Sequence, residues 1–269
     1  MKFPRALIAL LLAGLLLTGC STMAADNNGQ AVENGQFMKR TVMVDGEKRT
    51  YQVFVPASHS TKKPLPIVLF LHGSGERGSD GENQLNAGLG PYVRAHANDF
   101  PAIVVFPQAP ENGEWMGKNV DMALAALDAA TEEFNGDPKR TYLTGLSMGG
   151  YGTWETAISA PARFAALVPI CGALLAPRPG REIYVTEVAG AADPYTALAS
   201  RVKHIPIWIF HGATDDVLPP EDDRKTFAAL QAPGANGQET EFPEANHNSW
   251  DATYQLDAMW TWLFAQRKD

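Results

Sequence analysis

Thr141-Tyr142-Leu143-Thr144-Gly145-Leu146-Ser147-Met148-Gly149-Gly150-Tyr151 is the stretch on which the fold turns. Its first four residues form a short apolar run suited to a buried strand, and Tyr151 to Ser159 carries a helical pattern stopped by Pro161. Gly145 to Gly149 is left as a sharp strand-to-helix turn, with the helix opening at Gly150. Glycines belong on both sides of Ser147 because side chains there would collide with the adjoining strand and helix. The serine is thereby exposed at the tip of the turn.

Outward from this turn, strand and helix alternate. Ile67 to Leu71, Ala102 to Phe106, Phe164 to Ile170 and Ile205 to Phe210 are apolar runs without alternation, as strands buried on both faces require. Helical patterns cover Asp121 to Phe134, Glu221 to Leu230 and Trp250 to Gln266, the last placing Leu256, Met259, Trp260 and Leu263 at core spacing. At the start, Thr41 to Val44 and Thr50 to Val55 alternate around Asp45-Gly46, a hairpin signal. The expected architecture is α/β: a mostly parallel central sheet, an antiparallel N-terminal hairpin, and helices on both faces. Ala173 to His204 contains Pro177, Pro179, Gly180 and Asp193-Pro194 and reads as an irregular insertion near the active-site face. A short strand at Ile183 to Val185 is expected in it, and the sequence leaves open whether residues 173–204 act as a lid.

Composition narrows the classes. The 269 residues are 45% hydrophobic and 19% charged, enough for one globular core. With 30 acidic against 22 basic residues the formal charge is −8, and the basic residues form no run, which excludes nucleic acid as a partner. Cys20 and Cys171 offer no disulfide framework. H-E-x-x-H, paired cysteines and a P-loop are missing, so no metal and no cofactor is expected. Gly73-Ser74-Gly75-Glu76-Arg77-Gly78 satisfies G-x-G-x-x-G, but polar irregular sequence follows it where a dinucleotide site would need a helix.

The amino terminus reads as an address. Lys2 and Arg5 precede an apolar run from Ala6 to Leu17, too short to span a membrane. Leu17-Thr18-Gly19-Cys20 resembles the lipobox of bacterial lipoproteins, which implies a signal peptide at 1–19 and lipidation of Cys20. An ordinary signal cleaved near Met23 to Ala25 is the alternative. Residues 20–36, polar and rich in Asn, Gly and Gln, read as a flexible tether with a reach of about 20 to 25 Å. The domain proper is then 37–269, exported and held to the membrane through lipid alone. Ser21 favours the outer membrane where the cell has one.

An exposed serine hydroxyl is a weak nucleophile and needs a base and an orienting carboxylate. Of His59, His72, His96, His204, His211 and His247, only His247 lies in a polar loop after all the other candidates. His72 and His211 each precede a glycine at a strand end and read as structural rings that pin their turns. Phe210-His211-Gly212-Ala213-Thr214-Asp215 supplies the carboxylate, with Asp215 preferred to its neighbour Asp216. The amides of Ser74 and Met148 are the expected oxyanion donors. Glu76 and Arg77 are expected to pair with each other. Trp115 and Trp250 are candidate walls of a substrate pocket, with ordinary packing the alternative for each.

These residues resemble the α/β-hydrolase superfamily, and within it the secreted esterases related to polyhydroxybutyrate depolymerases and feruloyl esterases, including predicted peptidases. The resemblance rests on Leu71 to Gly78, Asp137 to Arg140 leading to Gly145 through Gly152, Pro169 to Gly172, His211 to Asp215 and His247 to Trp250. It implies an α/β-hydrolase fold and a nucleophile, acid and base at Ser147, Asp215 and His247. The expected activity is hydrolysis of a small-molecule or oligomeric carboxylic ester through an acyl-enzyme. A serine peptidase acting on short peptides is the rival enzyme, and an inactive surface binding protein the rival of another class. Leu174 to Gly190 departs from the family pattern and leaves the pocket shape open, as sequence leaves the oligomeric state.

Overall fold

The computed structural model describes residues 35–231 and 236–269. The expected signal peptide, Cys20 and nearly all of the expected tether lie outside the described residues. The first strand, β1 (Gln36–Val44), begins at the last residue assigned to that tether.

β1 and β2 (Glu47–Val55) form the hairpin, with Val44 opposite Glu47 across Asp45 and Gly46. Both turn residues have positive φ, 51° and 80°, the geometry that matches the right-handed twist of the flanking strands. β2 runs antiparallel to β4 (Ile103–Pro107). The rest of the sheet is parallel: β3 (Leu65–Leu71), β5 (Gly136–Leu146), β6 (Ala166–Ile170), β7 (Ile207–Gly212) and β8 (Gly237–Phe242). The order across the eight strands is β1-β2-β4-β3-β5-β6-β7-β8. The expected α/β architecture is therefore present, with its antiparallel start.

Every residue of β3 is buried, which explains its unbroken apolar run. Ile67, Leu69 and Leu71 face a core filled from α2 (Lys118–Glu133) and α3 (Met148–Ser159), with Leu127 and Trp154 prominent. Val68 and Phe70 face the opposite core, filled from α1 (Leu89–Ala95) and from the C-terminal helices. No helix among the described residues is long and apolar enough to cross a membrane.

The structure departs from the sequence reading in several places, α1 among them, since the sequence reading has no helix at Leu89 to Ala95, and β5, which reaches back to Gly136. The expected single helix from Trp250 to Gln266 is two, α6 (Trp250–Tyr254) and α7 (Asp257–Ala265), because Leu256 is extended. The indole N–H of Trp260 donates to the Tyr254 carbonyl at 2.8 Å, satisfying an oxygen that the break would otherwise orphan. The segment Ile183 to Val185 is no strand; Val185 makes a backbone bond to Leu174 and its side chain is buried. Finally, Asp193-Pro194 opens a helix, α4 (Pro194–Val202), within the stretch that the sequence presents as irregular. Asp193 caps it by accepting from the Tyr195 and Thr196 amides, and proline at the first helical position has no amide to waste. The remaining helix on that side, α5 (Glu221–Leu230), falls where the sequence placed it.

Candidate active site

The turn after β5 has the predicted strain. Ser147 sits at φ 53°, ψ −114°, and α3 opens at Met148, two residues before the expected Gly150. A Cβ on Gly145 would lie 2.2 Å from the Gly149 carbonyl oxygen, and one on Gly149 would lie 1.9 Å from that of Leu71. Both neighbours are backbone, so neither could move aside. The Ser147 amide donates to the Ile170 carbonyl at 2.9 Å, anchoring the turn to β6.

Three loops meet here. The Ser147 hydroxyl is 2.9 Å from His247 Nε2, and His247 Nδ1 is 2.7 Å from Asp215 Oδ2. Since a carboxylate only accepts, Nδ1 carries the ring proton and Nε2 is free to accept from the hydroxyl. Asp215 Oδ1 accepts the Val217 and Leu218 amides, both at 2.9 Å. Burial alone would raise the Asp215 carboxyl, but hydrogen bonds from His211, His247 and the Leu218 amide hold it well below the ordinary carboxylate range. Asp216 is exposed, and only its amide reaches toward the site, donating to Asn246 Oδ1. The β7 loop and the loop carrying His247 are laced by backbone bonds from Ala213 to Phe242 and from Thr214 to Ala245.

A cavity of about 440 Å³ opens over this arrangement, lined among others by Ser74, Ser147, Met148, His247 and Trp250. Trp250 is half-buried, its ring edge-on to His247 at 5.6 Å. Trp115 is not a wall. It is 1% exposed in the core beneath, with its indole N–H donating to the His72 carbonyl. Packing against α3 claims it: a Cβ on Gly152 would lie 2.5 Å from Trp115 Cβ.

The expected Glu76–Arg77 pair is also corrected. Arg77 pairs with Glu114, and Arg181 from the insertion pairs with that same carboxylate. Glu76 instead lines the cavity, where burial pushes its carboxyl up. Sequence reasoning missed Glu114 and Arg181, for no local pattern links residues so far apart. Arg178 of the insertion lines the cavity as well.

The two strand-end histidines differ in kind. His72 donates from Nδ1 to the Gly73 carbonyl and accepts the Ala109 amide at Nε2, so its ring is neutral; burial lowers it to about 4. His211 has acceptors at both nitrogens, Asp223 at Nδ1 and the Leu218 carbonyl at Nε2. Among the described residues no group of three or more His, Cys, Asp or Glu side chains is arranged to hold a metal ion.

The model of the prolyl oligopeptidase family, Peptidase_S9, matches residues 110–268. A thermostable esterase of known structure superposes with a TM-score of 0.71 at 31% identity, covering 86% of this chain and 63% of that one. A bifunctional acetylxylan esterase/xylanase of Neocallimastix patriciarum is 27% identical over 177 residues, 64% of this chain and 22% of the relative. A ferulic acid esterase superposes with a TM-score of 0.66 at 18% identity, covering 86% of this chain and 99% of that one, a likeness of fold. The chain spans a quarter or less of the length of the curated relatives it matches.

Proposed function

This chain belongs to the prolyl oligopeptidase family of α/β-hydrolases, and from that membership we propose that it hydrolyses carboxylic esters through an acyl-enzyme on Ser147. The observation that carries the reading is the unbroken hydrogen-bond path from Ser147 through His247 to Asp215 at the floor of an open cavity. In this reading Ser147 Oγ attacks the acyl carbonyl while His247 Nε2 takes its proton. His247 returns that proton to the departing alkoxide, and the alcohol leaves. Water, deprotonated in turn by His247, cleaves the acyl-enzyme to free acid and regenerated serine. Asp215 keeps the ring in the required tautomer and offsets the imidazolium that forms. The Ser74 and Met148 amides receive the oxyanion, with the positive end of α3 behind Met148.

The relatives named above as esterases, at 31% and 27% identity, favour ester over amide substrates. The family's own description keeps a peptidase reading alive, because the same site cleaves amides when His247 protonates the leaving amine. Turnover of aryl, acetylated-sugar, feruloyl and polyester substrates measured beside peptide amides separates the two. Labelling of Ser147 by a fluorophosphonate is expected. Its failure, together with no ester turnover, would overturn the reading in favour of a surface binding protein.

Export as a lipoprotein belongs to the same proposal, supported by Lys2, Arg5 and Leu17-Thr18-Gly19-Cys20. Acyl chains on Cys20 would hold the domain to the membrane, since more than one chain is needed for stable anchoring. Cys20→Ala is expected to abolish labelled-palmitate incorporation. Palmitate retained in that variant would refute the anchor.

A further inference from the structure

We propose that His211 is a buried imidazolium, clamped between Asp223 and Asp215, which acts as a positioning residue by keeping the Asp215 carboxylate ionised and aimed at His247. The proposal rests on the ester-hydrolase reading for its consequence, though not for the charge itself.

The acceptors around the ring favour the charge. His211, near the end of β7, and Asp223, in the first turn of α5, have side chains with no exposed surface. His211 Nδ1 lies 2.7 Å from Asp223 Oδ2. Nε2 lies 2.8 Å from the Leu218 carbonyl oxygen and 3.2 Å from Asp215 Oδ2. A carbonyl and two carboxylates only accept, so a neutral ring would turn one bare lone pair on an acceptor. A proton held on Asp223 instead would leave Nδ1 bare while Nε2 still donates, the one neutral arrangement that these contacts also satisfy. The N-terminal end of α5 also favours the ionised form of Asp223. Asp215 Oδ2 thus accepts from His247 Nδ1 at 2.7 Å and has His211 Nε2 3.2 Å away on its other side, the N–H of that nitrogen going first to the Leu218 carbonyl.

The surroundings agree. Burial alone would lower His211, but its hydrogen bonds to Asp215 and Asp223 outweigh burial and push it up to about 10. Burial pushes the Asp223 carboxyl up, with the His211 hydrogen bond pulling the other way. Glu239 and Glu241 on β8 both feel the His211 charge. Asp222 and Arg224 adjoin on α5, Arg224 being exposed and paired to Glu241. Cys171 after β6 and Tyr151 on α3 complete the set, both neutral because burial pushes them up. Asp215 therefore answers to two imidazoles at once. A cation at its back weakens the hold of Asp215 on the proton that it shares with His247.

The first measurement needs no substrate. In full-chain protein labelled with ¹⁵N-histidine, both His211 ring nitrogens are expected to give protonated signals from about pH 6 to about pH 9, where an ordinary imidazole has lost its charge. A bare His211 nitrogen near pH 7 overturns the proposal. The second is the pH profile of kcat/KM: in His211→Gln the acidic limb is expected to move up by about one unit. A variant that folds and loses thermal stability but keeps its limb in place shows a merely structural ring and overturns the proposal too. If His211→Gln does not fold, His211→Gln/Asp223→Asn, neutral at both positions, is expected to show a smaller shift of the same sign. Should the wild type hydrolyse no ester, the functional reading falls while the nitrogen signals still decide the charge.

Discussion

Arg181 Nη2 donates to Ser74 Oγ at 3.1 Å, across 107 residues of sequence, and so ties the insertion after β6 to the loop after β3. The same guanidinium shares Glu114 with Arg77, which makes Glu114 the common anchor of both segments. The long insertion is therefore fastened over the cavity by an ion-pair network whose members are mostly sheltered from water.

Glu114→Gln keeps an oxygen for Arg77 and Arg181 to donate to but removes the negative charge that the two guanidiniums share. Glu114→Gln is expected to destabilise the fold by about 1–3 kcal/mol and to lower kcat by loosening the Ser74 amide. Unchanged kcat in a folded variant would show that the network does not position the oxyanion loop.

Steric demand at the serine turn is tested at Gly149, whose added Cβ would lie 1.9 Å from the Leu71 carbonyl oxygen. Gly149→Ala should cost several kcal/mol, about 3 or more, because β3 and α3 would have to separate. Gly75→Ala meets nothing within 4 Å and is expected to stay within about 0.5 kcal/mol of wild type. Equal denaturation midpoints for the two variants would contradict the geometry.

Choice of the acid is decided by comparing neighbours. Asp215→Asn turns the hydrogen bond at His247 Nδ1 around and should lower kcat by about 10⁴, as the wrong tautomer does in characterised Ser-His-Asp triads. Asp216→Asn, on an exposed side chain, should leave kcat nearly unchanged. The reverse ranking would move the acid to Asp216.

The two tryptophans should separate by readout. Trp250→Ala is expected to raise KM with little loss of stability, since its half-buried ring lines the cavity. Trp115→Ala should cost about 3–5 kcal/mol of stability, the usual penalty for emptying a core site of that size. A KM effect without unfolding at Trp115 would restore it to the pocket.

Two groups of the candidate site, His211 and Asp215, contribute to the pH dependence of stability with opposite signs. His211 is raised to about 10, so its contribution is complete below the ordinary imidazole value of about 6.5 and is lost as pH rises through about 10. Asp215 is depressed, so its contribution is complete above about 3.9 and is lost as pH falls through its lowered value. The melting midpoint should decline as pH rises from about 6.5 toward about 10, the alkaline decline being smaller in His211→Gln/Asp223→Asn. A wild-type midpoint that stays flat from about pH 7 to 10 would speak against a charged His211.

Much of this protein was legible in local pattern. Unbroken apolar runs gave the buried parallel strands, Asp45-Gly46 the hairpin, and glycines around Ser147 the strained turn, because each answers to sterics or periodicity within a few residues. The order of Ser147, Asp215 and His247 along the chain, read with the turn, located the candidate site. Local rules misled where one signal has two meanings: Asp193-Pro194 interrupts a strand or helix but also starts one, and the helical spacing from Trp250 to Gln266 runs through a break that it cannot register.

Tertiary structure alone decided what faces what. That Arg77 pairs with Glu114 in place of Glu76, that Trp115 lies under the turn and not in the cavity, and that His211 has a carboxylate at either nitrogen all depend on contacts between distant segments. Such contacts are set by how two packed layers close over the sheet, and charge and burial follow from that closure. Residue types along the chain fix the turns and the strands; only the packing fixes which buried charges must share a proton.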